Sequence, residues 1–183
     1  PIASFILLRG RCRYCQMLLS PTEPIVELLS GGLFIVSYLR FGWSFTSIGT
    51  GIFLVLLLII TILDLREKVI YTIFLPVGIL LALIWTPFWQ DPSSHLLGAA
   101  WGSALFWLIR ISGTRIFRRE AMGFGDVQLA GVLGFWVGTH HIYHLVAGSF
   151  VLGFLVAVPL LLTGNKKIAD EIPFAPYLCA ATA

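Results

Sequence analysis

Two aspartates stand where long hydrophobic stretches end. Asp64 closes one, and sixty-two residues later Asp126 completes a Gly123-Phe124-Gly125-Asp126 run that leads into another. A carboxylate beside a membrane-length apolar stretch costs a few kcal/mol to bury, so such acids mark function more often than chance. Two of them meeting at one membrane face make an acid/base pair. Like-charge repulsion and desolvation leave one proton between them; the ionised partner takes a proton from water and the protonated partner polarises a carbonyl. Each acid also has an ordinary explanation. Asp64 can be a helix-end acid facing water beside Arg66 or Lys68, and Asp126 an acid favoured by the dipole at a helix N-terminus. Gly123 and Gly125 weaken the ordinary reading, because they remove side chains where the backbone enters the membrane. An extended peptide needs such space, which makes these two glycines substrate-proximal candidates. No Ser/His or Cys/His arrangement competes beside the aspartates.

The elements that must position this pair follow from composition. The chain is 58% hydrophobic and only 11% charged, too few polar groups to cover a soluble domain of 183 residues. Period-two alternation is absent, so the class is an all-α polytopic transmembrane bundle rather than an outer-membrane barrel. Stretches of about twenty apolar residues fall at 24–40, 46–64, 69–89, 93–111, 125–143 and 145–163, with a seventh begun at 172–183. Pro76 and Pro159 lie inside spans and read as kinks tolerated in lipid. The break between the fifth and sixth spans is placed at His140, His141 and His144, where a polar interfacial turn is favoured over a metal site.

Of the 12 basic residues, eleven fall on alternate loops: Arg9, Arg11 and Arg13; Arg66 and Lys68; Arg110, Arg115, Arg118 and Arg119; Lys166 and Lys167. Only Arg40 is left for the other side, so the eleven-rich side is cytoplasmic by the positive-inside rule. The second span then descends to Asp64 and the fifth ascends from Asp126, which places both carboxylates in one boundary layer.

Other residues carry weaker signals. Glu27 lies near the cytoplasmic end of the first span and ranks as a supporting candidate below the aspartates. Cys12-x-x-Cys15 is half of a tetrahedral zinc site and sits in a basic segment, where a reducing compartment disfavours a disulfide. Cys179 reads as a packed core residue. Gly98-x-x-x-Gly102 and Gly134-x-x-x-Gly138 suit close helix packing within the chain. The net charge of +3 forms no basic face, so a nucleic-acid partner is not expected, whereas the lipid bilayer is.

At these residues the chain resembles the bacterial prepilin peptidases, membrane aspartic endopeptidases that cut leader peptides from type IV pilins and secretion pseudopilins. Arg119 through Val127, with Leu129-Ala130, is similar to the second-aspartate signature of that family, and Asp64-Leu65-Arg66 through Ile70 to its first. Pro24 through Leu29 resembles the start of an early helix, and Ile172-Pro173-Phe174-Ala175-Pro176 the opening of the last. Leu8 through Cys15 is similar to the second half of the family's cytoplasmic cysteine loop. Two positions depart from the pattern: Ile70 is followed by Tyr71-Thr72 rather than Pro-Asn, and Gln128 stands where a lysine is usual.

The resemblance implies that Asp64 and Asp126 are catalytic and need no cofactor. It also implies an inner-membrane enzyme whose site faces the cytoplasm, and prepilin or pseudopilin substrates with a basic leader before a hydrophobic helix. A partner C-x-x-C upstream would complete a Zn2+ site, and the long bacterial form also methylates the new N-terminus with S-adenosylmethionine. The expected organisation is a partial cysteine-containing loop at 1–22 and a transmembrane peptidase domain at 23–183, in a fragment lacking both ends. The rival from another class is an ion- or proton-coupled transporter relaying charge through the two carboxylates. It calls for a mid-membrane acid and a repeated half-structure, neither of which is found.

Overall fold

The computed structural model describes residues 2–85, 91–118, 120, 122–162 and 173–182. They form seven helices and no strand: α1 (Ile2–Leu7), α2 (Thr22–Phe41), α3 (Phe45–Glu67), α4 (Phe74–Trp85), α5 (Pro92–Phe117), α6 (Phe124–Leu162) and α7 (Ala175–Thr182). Among the described residues, α2, α3, α5 and α6 are long and apolar enough to cross a membrane, and α4 is a shorter apolar helix. The chain is thus an all-α, multi-pass membrane bundle. It divides into two units, residues 1–55 and 56–183, with the division inside α3.

In the first unit, the turn after α1 closes at Gly10, which has a positive φ of 73° and donates its N–H to Phe5 O at 2.8 Å. A tight turn follows, closed by a bridge between Arg11 and Leu18 and by Cys12 N to Met17 O at 2.9 Å. Gly42 stops α2 with φ 64° and donates to Tyr38 O. Two residues later Ser44 caps α3, its hydroxyl accepting from Ser47 N at 3.1 Å. The buried Ser37 hydroxyl donates to Ser47 O at 2.7 Å and ties the two helices across the turn.

The second unit is built on α6, against which α4, α5 and α7 pack. Asp91 caps α5 through Ser94 N, Pro92 occupies the first turn, and hydrogen bonds from Ser93 and Ser94 hold the Asp91 carboxyl below the usual range. Helices α5 and α6 run antiparallel at backbone contact. A Cβ at Gly98 would strike the Gly134 carbonyl oxygen, and one at Gly102 would lie 2.5 Å from the Ala130 carbonyl oxygen. Both glycines are therefore required by the approach, as the small-residue spacing implied. Phe106 of α5 stacks on Phe150 of α6 at 6.0 Å, and Phe174 closes the cluster at 5.3 Å from Phe150. The opposite face of α5, with Leu97, Trp101, Leu105 and Leu108, is exposed and apolar, the pattern of a lipid-facing surface.

Three sequence expectations need correction. The break between the expected fifth and sixth spans is at Gly138, with φ 69°, and His140, His141 and His144 are helical. The break has a chemical clasp on α5. Thr139 N donates to Ser94 Oγ at 3.1 Å, and the Phe135 carbonyl, its partner in an unbroken helix, accepts from His95 Nδ1 at 2.7 Å. The third span begins at Phe74 rather than 69, because Val69 and Ile70 are apolar yet belong to the loop leaving α3. Pro76 then lies in the first turn of α4, where its missing N–H breaks no helical bond, instead of kinking a span. The end of the third expected span and the start of the seventh lie outside the described residues, as do Arg119, Lys166 and Lys167.

Candidate active site

Asp64 sits three residues from the end of α3, and Asp126 is the third residue of α6. Their helix positions are electrostatically opposite. The last turn of α3 presents carbonyl oxygens, which repel an anion, while the first turn of α6 presents N–H groups that attract one. Asp126 reaches back to the Gly123 N–H, closing the N-terminus of α6 as a capping carboxylate does. Asp64 gets its donor from elsewhere: the Ala175 N–H, at the first residue of α7. Pro176 follows it and has no N–H, so Ala175 supplies the first backbone donor of that helix.

The two carboxyls are buried, Asp64 at 5% and Asp126 at 9% exposure. They lie close enough to repel one another when both are charged. Asp64 Oδ2 and Asp126 Oδ1 are each buried with no hydrogen-bond partner among the described residues. An unsatisfied buried acceptor costs about 1–3 kcal/mol, more when charged. Two on neighbouring carboxyls are what a site that binds water and a carbonyl group would retain. Cys179, one helical turn beyond Ala175, is buried, hydrogen-bonds with Thr61 and feels both carboxylates. Helices α3, α6 and α7 therefore converge on the pair.

The segment entering α6 is anchored from α5. Arg110 Nε donates to Met122 O at 3.1 Å, its Nη2 meets Glu120 at 3.2 Å, and its guanidinium lies over the Phe124 ring at 5.6 Å. Gly125 faces the loop that leaves α3: a Cβ there would lie 2.9 Å from Ile70 Cβ. The space beside Gly125, expected to admit substrate, is thus filled by the chain itself. Gly123 is exposed, and among the described residues a Cβ built there would meet the Asp126 carboxylate at 3.4 Å.

Glu27 and the cysteines belong to the first unit. Glu27 accepts from Ile2 N at 2.7 Å and so holds the start of α1 on α2. Cys12 and Cys15 share the tight turn described above; N–H groups of Cys15 and Tyr14 draw the Cys12 thiol below its usual range, toward the thiolate that binds metal. They supply two donors of a tetrahedral set, and no group of three or more His, Cys, Asp or Glu gathers among the described residues. Of the two departures, the Tyr71 hydroxyl donates to Glu67, a hydrogen bond that, with the Glu67 charge, pushes the Tyr71 phenol upward, and Gln128 is half-buried on α6. An apolar cleft lined by Phe34, Tyr38, Trp43, Phe45 and Ile48 lies in the first unit and contains neither aspartate.

The resemblance put Ile70 in the first-aspartate segment and Ala175 at the opening of the last helix but gave neither a contact at the site, and Arg110 counted only as a cytoplasmic charge. A backbone donor leaves no side-chain signature, and the contact of Ile70 with Gly125 joins segments distant in sequence.

Comparison with known proteins gives the family from two directions. The profile of the type IV leader peptidase family matches residues 51–158, and that of the bacterial peptidase A24 N-terminal domain matches residues 1–41. A prepilin leader peptidase/N-methyltransferase of Xanthomonas campestris pv. campestris is 31% identical over 188 residues, covering 99% of this chain and 64% of that protein. Proteins of the same name from Neisseria gonorrhoeae and Burkholderia pseudomallei are 31% and 30% identical, over 97% and 100% of this chain. The chain spans 60–64% of the length of these three relatives. No solved structure matches. The family profile covers both aspartates and most of α3 and α6, the helices that carry them: the chain belongs to the type IV leader peptidase family.

Proposed function

We propose that Asp64 and Asp126 form the catalytic dyad of an endopeptidase that removes the basic leader from type IV prepilins and secretion pseudopilins, in the inner membrane and on its cytoplasmic side. The observation that carries the reading is the pair of buried, mutually repelling carboxyls, each with one unsatisfied oxygen. With one proton between them, the ionised carboxylate takes a proton from a water molecule as that water attacks the scissile carbonyl carbon. The protonated carboxyl donates to the carbonyl oxygen, and the proton bookkeeping reverses as the amine leaves. Burial in a water-poor boundary strengthens each of these interactions. The membrane setting suits a substrate whose hydrophobic helix lies in the bilayer while its basic leader stays in the negatively charged interface. The relatives' shared name supports this substrate class, and nothing in them favours a transporter.

Two further activities belong to the same proposal. Cys12 and Cys15 would hold half of a Zn2+ site whose other ligands come from elsewhere in the protein, and the metal would brace the loop that carries them. S-adenosylmethionine would supply the methyl group for the new N-terminus, in keeping with the second half of the relatives' name.

In the full-length protein, Asp64→Asn and Asp126→Asn should each abolish leader cleavage while membrane insertion is unchanged. Full cleavage by either variant would sink the assignment.

A further inference from the structure

We infer that Ile70 is a positioning residue: seated in the notch left by Gly125, it sets the spacing of the two aspartates. The inference rests on the dyad proposed above. Asp64 ends α3, and Lys68, with φ 54°, turns the chain out of the helix. Ile70 follows six residues after Asp64, outside any helix. Gly125 directly precedes Asp126 in the first turn of α6. A Cβ built on Gly125 would meet Ile70 Cβ at 2.9 Å, Cδ1 at 3.3 Å and Cγ1 at 3.4 Å. The first of these is closer than real side chains approach, and it involves the branch point next to the backbone rather than a flexible tip.

The contact therefore joins the backbones that carry the two carboxylates, one just past the first and one just before the second. Any residue larger than glycine at 125 must push the 68–70 segment away, and Asp64 with it. The usual explanation of such a glycine is packing for its own sake. Its place argues for more, since the other constraints here act on one aspartate at a time: Gly123 and Arg110 on the Asp126 segment, Ala175 on Asp64. Ile70 against Gly125 links the two directly. A displacement of about 1 Å at a reacting pair costs about 100-fold in rate.

The geometry makes a specific demand on suppression. Because the closest atom is Ile70 Cβ, relief of Gly125→Ala requires loss of that atom. Ile70→Gly removes it, whereas Ile70→Val keeps it and removes only Cδ1. In full-length protein in membranes, Gly125→Ala should lower kcat by about 100-fold with KM within about twofold. The double variant with Ile70→Gly should regain at least about tenfold, and the one with Ile70→Val should regain nothing. A second readout does not depend on catalysis. With Cys12, Cys15 and Cys179 replaced by alanine, Asp64→Cys and Asp126→Cys are introduced together and their disulfide yield is measured. The yield should be high with Gly125, fall with Gly125→Ala and recover with Ile70→Gly.

Equal rescue by Val and Gly, or a cross-link indifferent to Gly125→Ala, would overturn the positioning role. If Gly125→Ala fails to accumulate, the same ranking is read as accumulation, which Ile70→Gly alone should restore. A cross-link that follows the predicted order while Asp64→Asn still cleaves would leave Ile70 in place and refute the dyad instead.

Discussion

An aspartate in the last turn of a helix faces carbonyl oxygens, and burial removes the water that would screen them. Asp64 occupies such a place at 5% exposure, and the Ala175 N–H of another helix is what offsets it. Asp126 draws its donor from the start of its own helix: the Gly123 N–H and the dipole of α6 offset part of its burial and of its repulsion by Asp64. The acids were legible in the sequence because burying a carboxylate at a membrane edge is costly; their donors were not, since a backbone N–H carries no sequence signal. Arg110 was likewise visible only as one of the positive charges that set orientation. Its contacts to Met122 O and the Phe124 ring give it a second task, holding the segment that delivers Asp126. Arg110→Ala should therefore lower the cleavage rate by about tenfold, as a small misplacement at a reacting group does. Glu120→Ala should change it little, since Glu120 is exposed and such pairs contribute about 0–1 kcal/mol. Cleavage kinetics on the two variants decide this, and equal losses would mean that the ion pair, not the backbone contact, matters.

Helices α5 and α6 show how small residues set geometry in a membrane, where apolar burial alone does not drive association. Gly98 and Gly102 let the two backbones touch, and the exposed apolar face of α5 is left for lipid. Gly98→Ala should destabilise the bundle by about 1–3 kcal/mol through overpacking, read as a lower Tm in detergent. Trp101→Ala on the lipid-facing side should shift stability by about 0.5 kcal/mol or less; a larger effect there would place Trp101 in an interface. Spans were legible because about twenty apolar residues match the hydrocarbon thickness. Their ends were not, for two reasons. Hydropathy is blind to φ, so the break at Gly138 was assigned to the more polar histidines. It is equally blind to whether an apolar residue faces lipid or protein, so Val69 and Ile70 were counted into a span although they form a loop.

At the scale of the whole molecule, the positive-inside reading of the sequence puts eleven of 12 basic residues on one side of the membrane, and both aspartates with them. That orientation predicts labelling by a membrane-impermeant thiol reagent in sealed cells. With the native cysteines removed, Trp43→Cys should react, since residue 43 is exposed in the turn after α2, and Arg115→Cys should be protected until the membrane is opened. The reverse pattern would put the aspartates on the outer face. The class follows from charge and hydropathy, which are properties of single residues, and the expected orientation and acidic pair are read from the same properties. What joins the pair into a site, from Ile70 against Gly125 to Ala175 on Asp64, arises between segments distant in sequence and could be read only from the fold. The central claim is that the two carboxyls act as one unit. Single-turnover cleavage of a prepilin by full-length Asp64→Asn, Asp126→Asn and the double variant measures this directly. Residues that act as a unit are strongly non-additive, so each single variant should lose at least about 1,000-fold and the double variant no more than either. Losses that multiply in the double variant, or a single variant that still cleaves at the normal rate, would contradict it.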